Sequence, residues 1–487
     1  MQYKKLISAL ALSGLVTSPI LAFANDSEEL ESLRSLVQQL DQKVKVLERK
    51  GELNEEAATT AKKETPIVKA SQDGFGFKSS DNNFEIKLRG LLQIDNRHYS
   101  DVNGLGGDNK NISGFDFRRI RPTVEGTVFG KYDFRFTPEF GEAKTANATS
   151  TSGIADAYID ARFQPWFQVR AGKFKPYVGL ERLQSGSDLK FIERSYVSNN
   201  ILPNRDLGAA IHGDVLDGKL NYSIGIYNGV VDGGDNSTAQ DSNQDKEYAV
   251  RVFTTPFKDS VNALAGLGFG LAATHGNFKG TTTTSGLPNY KTAGQESNFF
   301  TYSSGVFGNG NRDRISPQAY YYYGPFGVIA EYARVSQDVS NGTKTASLDN
   351  DAWQIAASYL LTGEDASFKG VKPKQPFDTD HGGWGAWELV ARYQENNIDN
   401  AAFSTASSGA GLAFADPRNN AKSAKSWAAG VNWYLNQNVR LALDFENTSF
   451  DSGGNPNAAG TAGAGSFIDI ANRPSERTLF TRLQLAY

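Results

Sequence analysis

The chain has no cysteine, and its single methionine is Met1. A disulfide scaffold, a thiolate metal site and a cysteine nucleophile are therefore excluded. The 4 histidines, His98, His212, His275 and His381, are too scattered for a histidine metal cluster. A mean hydropathy of −0.45 leaves no room for a bundle of transmembrane helices, each of which needs about 20 successive apolar residues. Positive charge is in deficit, with 50 Lys+Arg against 54 Asp+Glu and a formal charge of −4. An acidic chain is a poor nucleic-acid binder, so no nucleic-acid partner is expected. No G-x-x-x-x-G-K-[ST], H-E-x-x-H or G-x-S-x-G occurs. No enzymatic activity, metal or cofactor is expected.

What is abundant is Gly (49), Phe (30) and Tyr (20), with only 16 Pro. Length alone predicts roughly two to four ordinary domains. The composition points instead to one large β structure whose strands face two different media.

The first residues read as an address. Lys4 and Lys5 precede an apolar run, 6–16, and Ala22-Phe23-Ala24 supplies a small-x-small cleavage pattern. Residues 1–24 are expected to be a secretory signal peptide, sending the chain to a Gram-negative periplasm or outer membrane. Residues 25–51 are predicted to be a periplasmic helix. Leu30, Leu33, Val37, Leu40, Val44 and Leu47 are spaced 3, 4, 3, 4, 3, the seam of a coiled coil. Such a stripe, with nothing after it to pack on, implies self-association. Gly51 is the expected stop, and the polar stretch 52–73 reads as a linker.

From residue 74 to Tyr487 the period changes to two. In Leu479-Phe480-Thr481-Arg482-Leu483-Gln484-Leu485 and Phe84-Glu85-Ile86-Lys87-Leu88-Arg89, apolar and polar residues alternate, giving each strand two unlike faces. Seventeen such segments can be marked, including one near 297–307. Tight connections such as Phe129-Gly130-Lys131 and Tyr323-Gly324-Pro325-Phe326 are interspersed with long polar ones: 276–296, 336–350, 363–383, 397–424 and 450–475. That asymmetry suits an outer-membrane barrel with short periplasmic turns and long external loops. Segments 276–296, 363–383 and 397–424 are expected outside. In lipid every backbone polar group must be paired, so the strands must close into a ring. The aromatic end, Leu485-Ala486-Tyr487, suits a closing strand. The fold class is all-β, a transmembrane antiparallel barrel preceded by a coiled-coil helix.

The chemistry is cationic. In 117–128, alternation puts Ile120, Val124 and Val128 on one face and Arg119, Arg121, Thr123, Glu125 and Thr127 on the other. With the apolar face in lipid, Arg119 and Arg121 point into the lumen, and Arg118, of opposite parity, belongs at the rim. Arg135, Arg162 and Arg170 recur on the polar faces of the next strands. Lumenal guanidiniums make an anion path, each permanently charged and able to grip an oxyanion with two N–H groups. The same residues can instead pair with Asp133, Glu139, Asp156 and Asp160 as a wall network, and the sequence leaves both open. Residues 175–205 form a long insert mixing apolar anchors with Lys175, Arg182, Lys190, Arg194 and Arg205. This is the composition of a loop folded into a barrel. A second basic stretch carries Lys369, Lys372 and Lys374, either at a constriction or solvated outside.

These residues resemble the phosphate-selective porin O and P family. The resemblance is carried by FDFRRIRPTVEGTVFGKYDFRF (115–136), VRAGKFKPYVGLERLQSGSDLKFIERS (169–195), NRDLGAAIHG (204–213), GVNWYLNQNVRLALDFENTSF (430–450) and TLFTRLQLAY (478–487), in order along the barrel. It implies a barrel of about 16 strands, so one of the seventeen segments is split or misplaced. It also implies a homotrimer in outer-membrane lipid that passes inorganic anions, phosphate or polyphosphate first. By resemblance, Arg118 and Arg119 fall on an arginine ladder. Arg182, Lys190 and Arg194, with Lys369, Lys372 and Lys374, fall on constriction loops. The alternatives are a less selective porin for small hydrophilic or organic-acid solutes, and a tether between outer membrane and cell wall.

Overall fold

The computed structural model describes residues 26–72, 74–100, 111–141, 153–235, 245–403, 414–416, 420–452 and 475–487; the expected leader lies outside them. The chain divides into two compact units, Met1–Thr65 and Pro66–Tyr487.

The first unit is a helix, Asp26–Glu64. It continues through Gly51 across most of the stretch expected to be a linker. A lone glycine costs a helix only about 1 kcal/mol, and the following residues are rich in good helix formers, Glu, Ala and Lys. The helix ends just before Pro66, which disfavours α geometry in the residue ahead of it. Leu30, Leu33, Val37, Leu40, Val44 and Leu47 are all exposed.

The second unit opens with a hairpin, Ile67–Ser71 and Gly74–Lys78, that the sequence reading did not foresee. Sixteen antiparallel strands follow: Glu85–Ser100, Gly114–Val128, Tyr132–Glu139, Gly153–Gln164, Phe167–Phe174, Asp206–Val215, Leu220–Tyr227, Glu247–Thr254, Leu267–Lys279, Phe307–Tyr323, Phe326–Ser340, Thr345–Leu360, Ala386–Asn397, Ala421–Tyr434, Val439–Ser452 and Glu476–Ala486. Each pairs with the next, and the last pairs back onto the first, Ala486 opposite Leu91 and Arg477 opposite Ser100. The ring is closed. Below the end of the closing strand the hairpin takes over the same edge, with Phe75 opposite Leu88.

The seventeenth expected segment is the misplaced one. Only Asn298–Phe300 is extended, paired with Tyr290–Lys291 apart from the barrel. Phe299 and Phe300 are adjacent and both buried, so the segment lacks the two-faced alternation of a wall strand.

The wall is apolar outside and polar inside. Along the closing strand Leu479, Leu483 and Leu485 are exposed, whereas Thr478, Phe480, Arg482 and Gln484 are buried. A water-soluble sheet shows the reverse. Large aromatics, including Phe129, Trp166, Tyr323 and Trp384, gather where the tight turns lie, as an interfacial girdle does. One such turn, at Phe129 (φ 51°) and Gly130 (φ 65°), has the primed geometry that matches strand twist.

Strand count assigns each connection to an end. Connections 129–131, 165–166, 216–219, 324–325 and 435–438 share the near end with Tyr487; 175–205, 280–306, 341–344 and 398–420 lie at the far end. Segment 363–383 was expected among the far loops. It joins Thr345–Leu360 to Ala386–Asn397 and therefore lies at the near end. The expected loop 336–350 is mostly strand, with the turn Asn341–Lys344 in its middle. Length misled because successive connections must alternate ends, and two in a row cannot both be far loops.

Candidate functional site

Connection 175–205 folds into the barrel, where Leu189, Ile192, Tyr196, Val197, Ile201 and Leu202 are buried. The wall holds it by its backbone. Arg440 donates to the Leu189 carbonyl at 2.6 Å, Arg482 to Ile192 at 2.8 Å and Arg392 to Glu193 at 2.9 Å. In the other direction, the Leu180 and Ile192 N–H groups donate to the carboxylates of Glu331 and Asp444, each at 2.6 Å. Above it, Tyr290, Phe299, Phe300 and Phe403 from the far end pack on Tyr196 and Ile201 in one apolar cluster. A buried loop backbone needs such partners. None of Arg392, Arg440 and Arg482 was picked out from the sequence, although the alternation of their strands places all three inward.

Strand Gly114–Val128 departs from simple alternation. Gln93 lies opposite Arg119 and Ile94 opposite Phe117, so Arg118 is an extra, bulged residue. A bulge shifts side-chain parity, and both Arg118 and Arg119 face inward. Arg118 is therefore not at the rim. It binds Glu193 of the inserted loop at 2.7 Å, and Arg97 binds the same carboxylate at 2.6 Å.

The remaining predicted cations of the wall and of connection 175–205 fall into two groups. Arg121 pairs with Glu139, Arg135 with Glu125, Arg162 with Asp133, Arg170 with Asp160, Arg205 with Asp156 and Lys190 with Glu388. These are the wall network. Arg119, Lys175, Arg182 and Arg194 have only neutral partners among the described residues. Arg119 donates to the Gln93 side-chain oxygen at 2.6 Å. Arg182 donates to Asn204 at 3.0 Å and to the Ser198 carbonyl. Lys175 and Arg194 donate to one and the same carbonyl, that of Gln184, at 2.7 and 2.8 Å. Two cations on one neutral oxygen repel. Burial and the Arg194 and Arg205 guanidiniums hold the Lys175 amine well below its ordinary range. Burial and Arg182 do the same to Arg194.

These groups surround the loop tip 184–187. Gly186 lies against the Arg119 side chain so closely that a Cβ there would sit 3.3 Å from its Nε. The Gly186 carbonyl accepts from Gln93 at 3.0 Å. From the near end, segment 363–383 rises to meet the tip. The Phe368 carbonyl accepts from Gln184 at 2.9 Å, and Ala366 and Val371 are buried with Leu360, Ala386 and Tyr434. Between wall, tip and this segment lies a cavity of about 710 Å³, lined by Arg121, Tyr158, Lys175, Tyr177, Lys369 and Lys372 among others. Lys374 turns away and donates to the Gly363 carbonyl.

Residues 86–462 match the family profile described as phosphate-selective porin O and P. Porin O of Pseudomonas aeruginosa is 25% identical over 429 residues, covering 81% of this chain and 90% of that protein. Among solved structures, the outer membrane channel DcaP of Acinetobacter baumannii superposes with a TM-score of 0.50 at 10% identity, over 85% of this chain and 99% of that one. An anion-selective porin from Comamonas acidovorans gives 0.49 at 12% identity, over 83% and 100%.

Proposed function

The chain belongs to the phosphate-selective porin O and P family and is an outer-membrane porin, and from that premise we propose that its pore prefers small anions, inorganic phosphate or polyphosphate first. The observation that carries this is the set of four inward cations without a carboxylate partner among the described residues, Arg119, Lys175, Arg182 and Arg194, near the tip 184–187. Of the predicted cations on the wall and on connection 175–205, seven are accounted for by the wall network and by Glu193; these four are not. An oxyanion arriving there exchanges part of its hydration for charge-assisted hydrogen bonds. Arginine supplies two parallel donors, and lysine a point charge that releases more readily. The acidic balance of the whole chain does not oppose this, because salt screens distant loop acids over roughly 8–10 Å. Tyr158 and Tyr177, on the cavity that Lys175 lines, favour, as a second reading, organic acids bearing an apolar body.

The near end is assigned to the periplasm, the helix Asp26–Glu64 is proposed to be periplasmic as well, and the working assembly is a homotrimer in outer-membrane lipid. The test is planar-bilayer recording of the purified porin in a salt gradient, with chloride conductance followed as phosphate is added. The expected reversal potential has the anion sign, and millimolar phosphate reduces the chloride current. A cation-preferring pore, or one indifferent to phosphate, removes the phosphate assignment and leaves a general porin.

A further inference from the structure

Two arginines of the wall stand directly across from acids. Arg135 faces Glu125 and Arg170 faces Asp160, and each pair forms a salt bridge. Arg119 breaks this pattern. The residue directly across from it is Gln93, a neutral amide with the shape of a glutamate. On the other side of Arg119 the backbone of Gly141 closes in. A Cβ there would lie 2.8 Å from the Arg119 Cα, which leaves no room for a compensating side chain at 141. The four strongest charges acting on Arg119 are all guanidiniums, those of Arg118, Arg121, Arg194 and Arg482. Position 93 therefore decides whether the Arg119 charge is cancelled.

The Gln93 amide is fixed by its partners. Arg119 can only donate, so it takes Oε1, at 2.6 Å; the Gly186 carbonyl can only accept, so it takes Nε2, at 3.0 Å. The same Nε2 also donates to Oε1 of Gln484 at 2.7 Å. Gln484 lies directly across from Gln93 on the closing strand. Its Oε1 accepts from Arg440 as well, at 3.0 Å, and its Nε2 donates to the Ser187 carbonyl at 3.1 Å. Both glutamines are buried. The two amides thus tie strand Glu85–Ser100, the closing strand and the tip 184–187 into one satisfied network. A carboxylate at 93 would serve Arg119 but would set an oxygen against the Gly186 carbonyl and the Gln484 Oε1. Buried networks of this kind are specific because a half-satisfied one is costly.

We propose that Gln93 is the residue that sets the charge preference of this passage. Its oxygen holds the Arg119 side chain in place without cancelling the charge, and its nitrogen keeps the tip 184–187 against that side chain. Gln93 acts through Arg119, as a positioning residue. The inference rests on the anion-preferring pore proposed above and adds the position on which that preference turns.

The test compares two replacements of similar size in the full-length porin. Each is recovered as a folded barrel, judged by heat-modifiable gel mobility, and recorded in planar bilayers in a salt gradient. Gln93→Glu sets a carboxylate at hydrogen-bond distance from Arg119 and is expected to lower the anion/cation permeability ratio about tenfold, as loss of a unit charge does. Gln93→Met removes the amide and leaves the guanidinium charged. It is expected to lower the ratio only about threefold, roughly the worth of one hydrogen bond, and to make the open-channel current noisier as the tip is freed. A purely structural role moves both variants alike, because both give up the bond to Gly186. A Gln93→Glu pore with the wild-type reversal potential, or a Gln93→Met pore that loses as much anion preference as Arg119→Ala, overturns the assignment, and each variant does so by itself. A wild-type pore that prefers cations removes the anion reading, and this assignment with it.

Discussion

Arg119 and Glu193 carry opposite charges, and they should respond to removal in opposite ways. Arg119 is buried with one neutral partner, Gln93 at 2.6 Å, and stands beside Arg118 and Arg121. Glu193 is buried between Arg97 and Arg118, at 2.6 and 2.7 Å. Arg119→Ala removes an uncompensated charge and a single hydrogen bond. The lost bond, about 1–2 kcal/mol, is offset by relieved repulsion, so stability should change by no more than about 1 kcal/mol. Glu193→Ala strands two buried guanidiniums and should destabilise by about 3–5 kcal/mol. Permeation should rank them the other way. A unit charge about 5 Å from a passing anion is worth roughly 0.8 kcal/mol if screened as in bulk water and about 3 kcal/mol at an effective dielectric near 20. A wet, narrow passage lies between these limits. Taking about 1.4 kcal/mol, Arg119→Ala should lower the anion/cation permeability ratio about tenfold. Reversal potentials in a salt gradient measure the ratio, and denaturation of the detergent-solubilised barrel measures stability. An Arg119→Ala pore of unchanged selectivity, or one as unstable as Glu193→Ala, refutes the distinction between unpartnered and network cations.

The end assignment is checked with a membrane-impermeant maleimide. Thr343→Cys, at the far-end turn, should label in intact cells, and Lys374→Cys only after the outer membrane is permeabilised; labelling of Lys374→Cys in sealed cells reverses the map. Lys175 titrates below its ordinary range because of burial and neighbouring guanidiniums. As pH falls through that lowered value the amine gains a proton, so anion preference should rise on acidification, and Lys175→Met should flatten that part of the profile. Gly51→Pro should cost the helix about 2 kcal/mol, the difference between proline and glycine in a helix interior, seen as reduced helical circular dichroism, with the gel mobility of the folded barrel unaltered; an intact helical signal contradicts a continuous Asp26–Glu64 helix.

Much was determined by the sequence alone. The alternation in Leu479–Leu485, with leucine at three of the four outward positions and Thr481 at the fourth, is a local property of a two-faced strand and reads directly as lipid outside and polar groups inside. The same parity placed Arg119 and Arg121 in the lumen. The mixed apolar and basic composition of 175–205 marked it as an inserted loop, because such a segment finds partners for both kinds of side chain only inside a polar-lined wall. Other features belonged to the tertiary structure. Arg118 turned inward because of a bulge, set by pairing with a neighbouring strand and invisible in its own alternation. The 363–383 segment changed ends because its side depends on how many strands precede it. Lys190 and Lys175 look alike along the chain. The first meets Glu388 and the second shares a carbonyl with Arg194, and only the packing of distant strands decides which cation is neutralised and which is left to hold an anion.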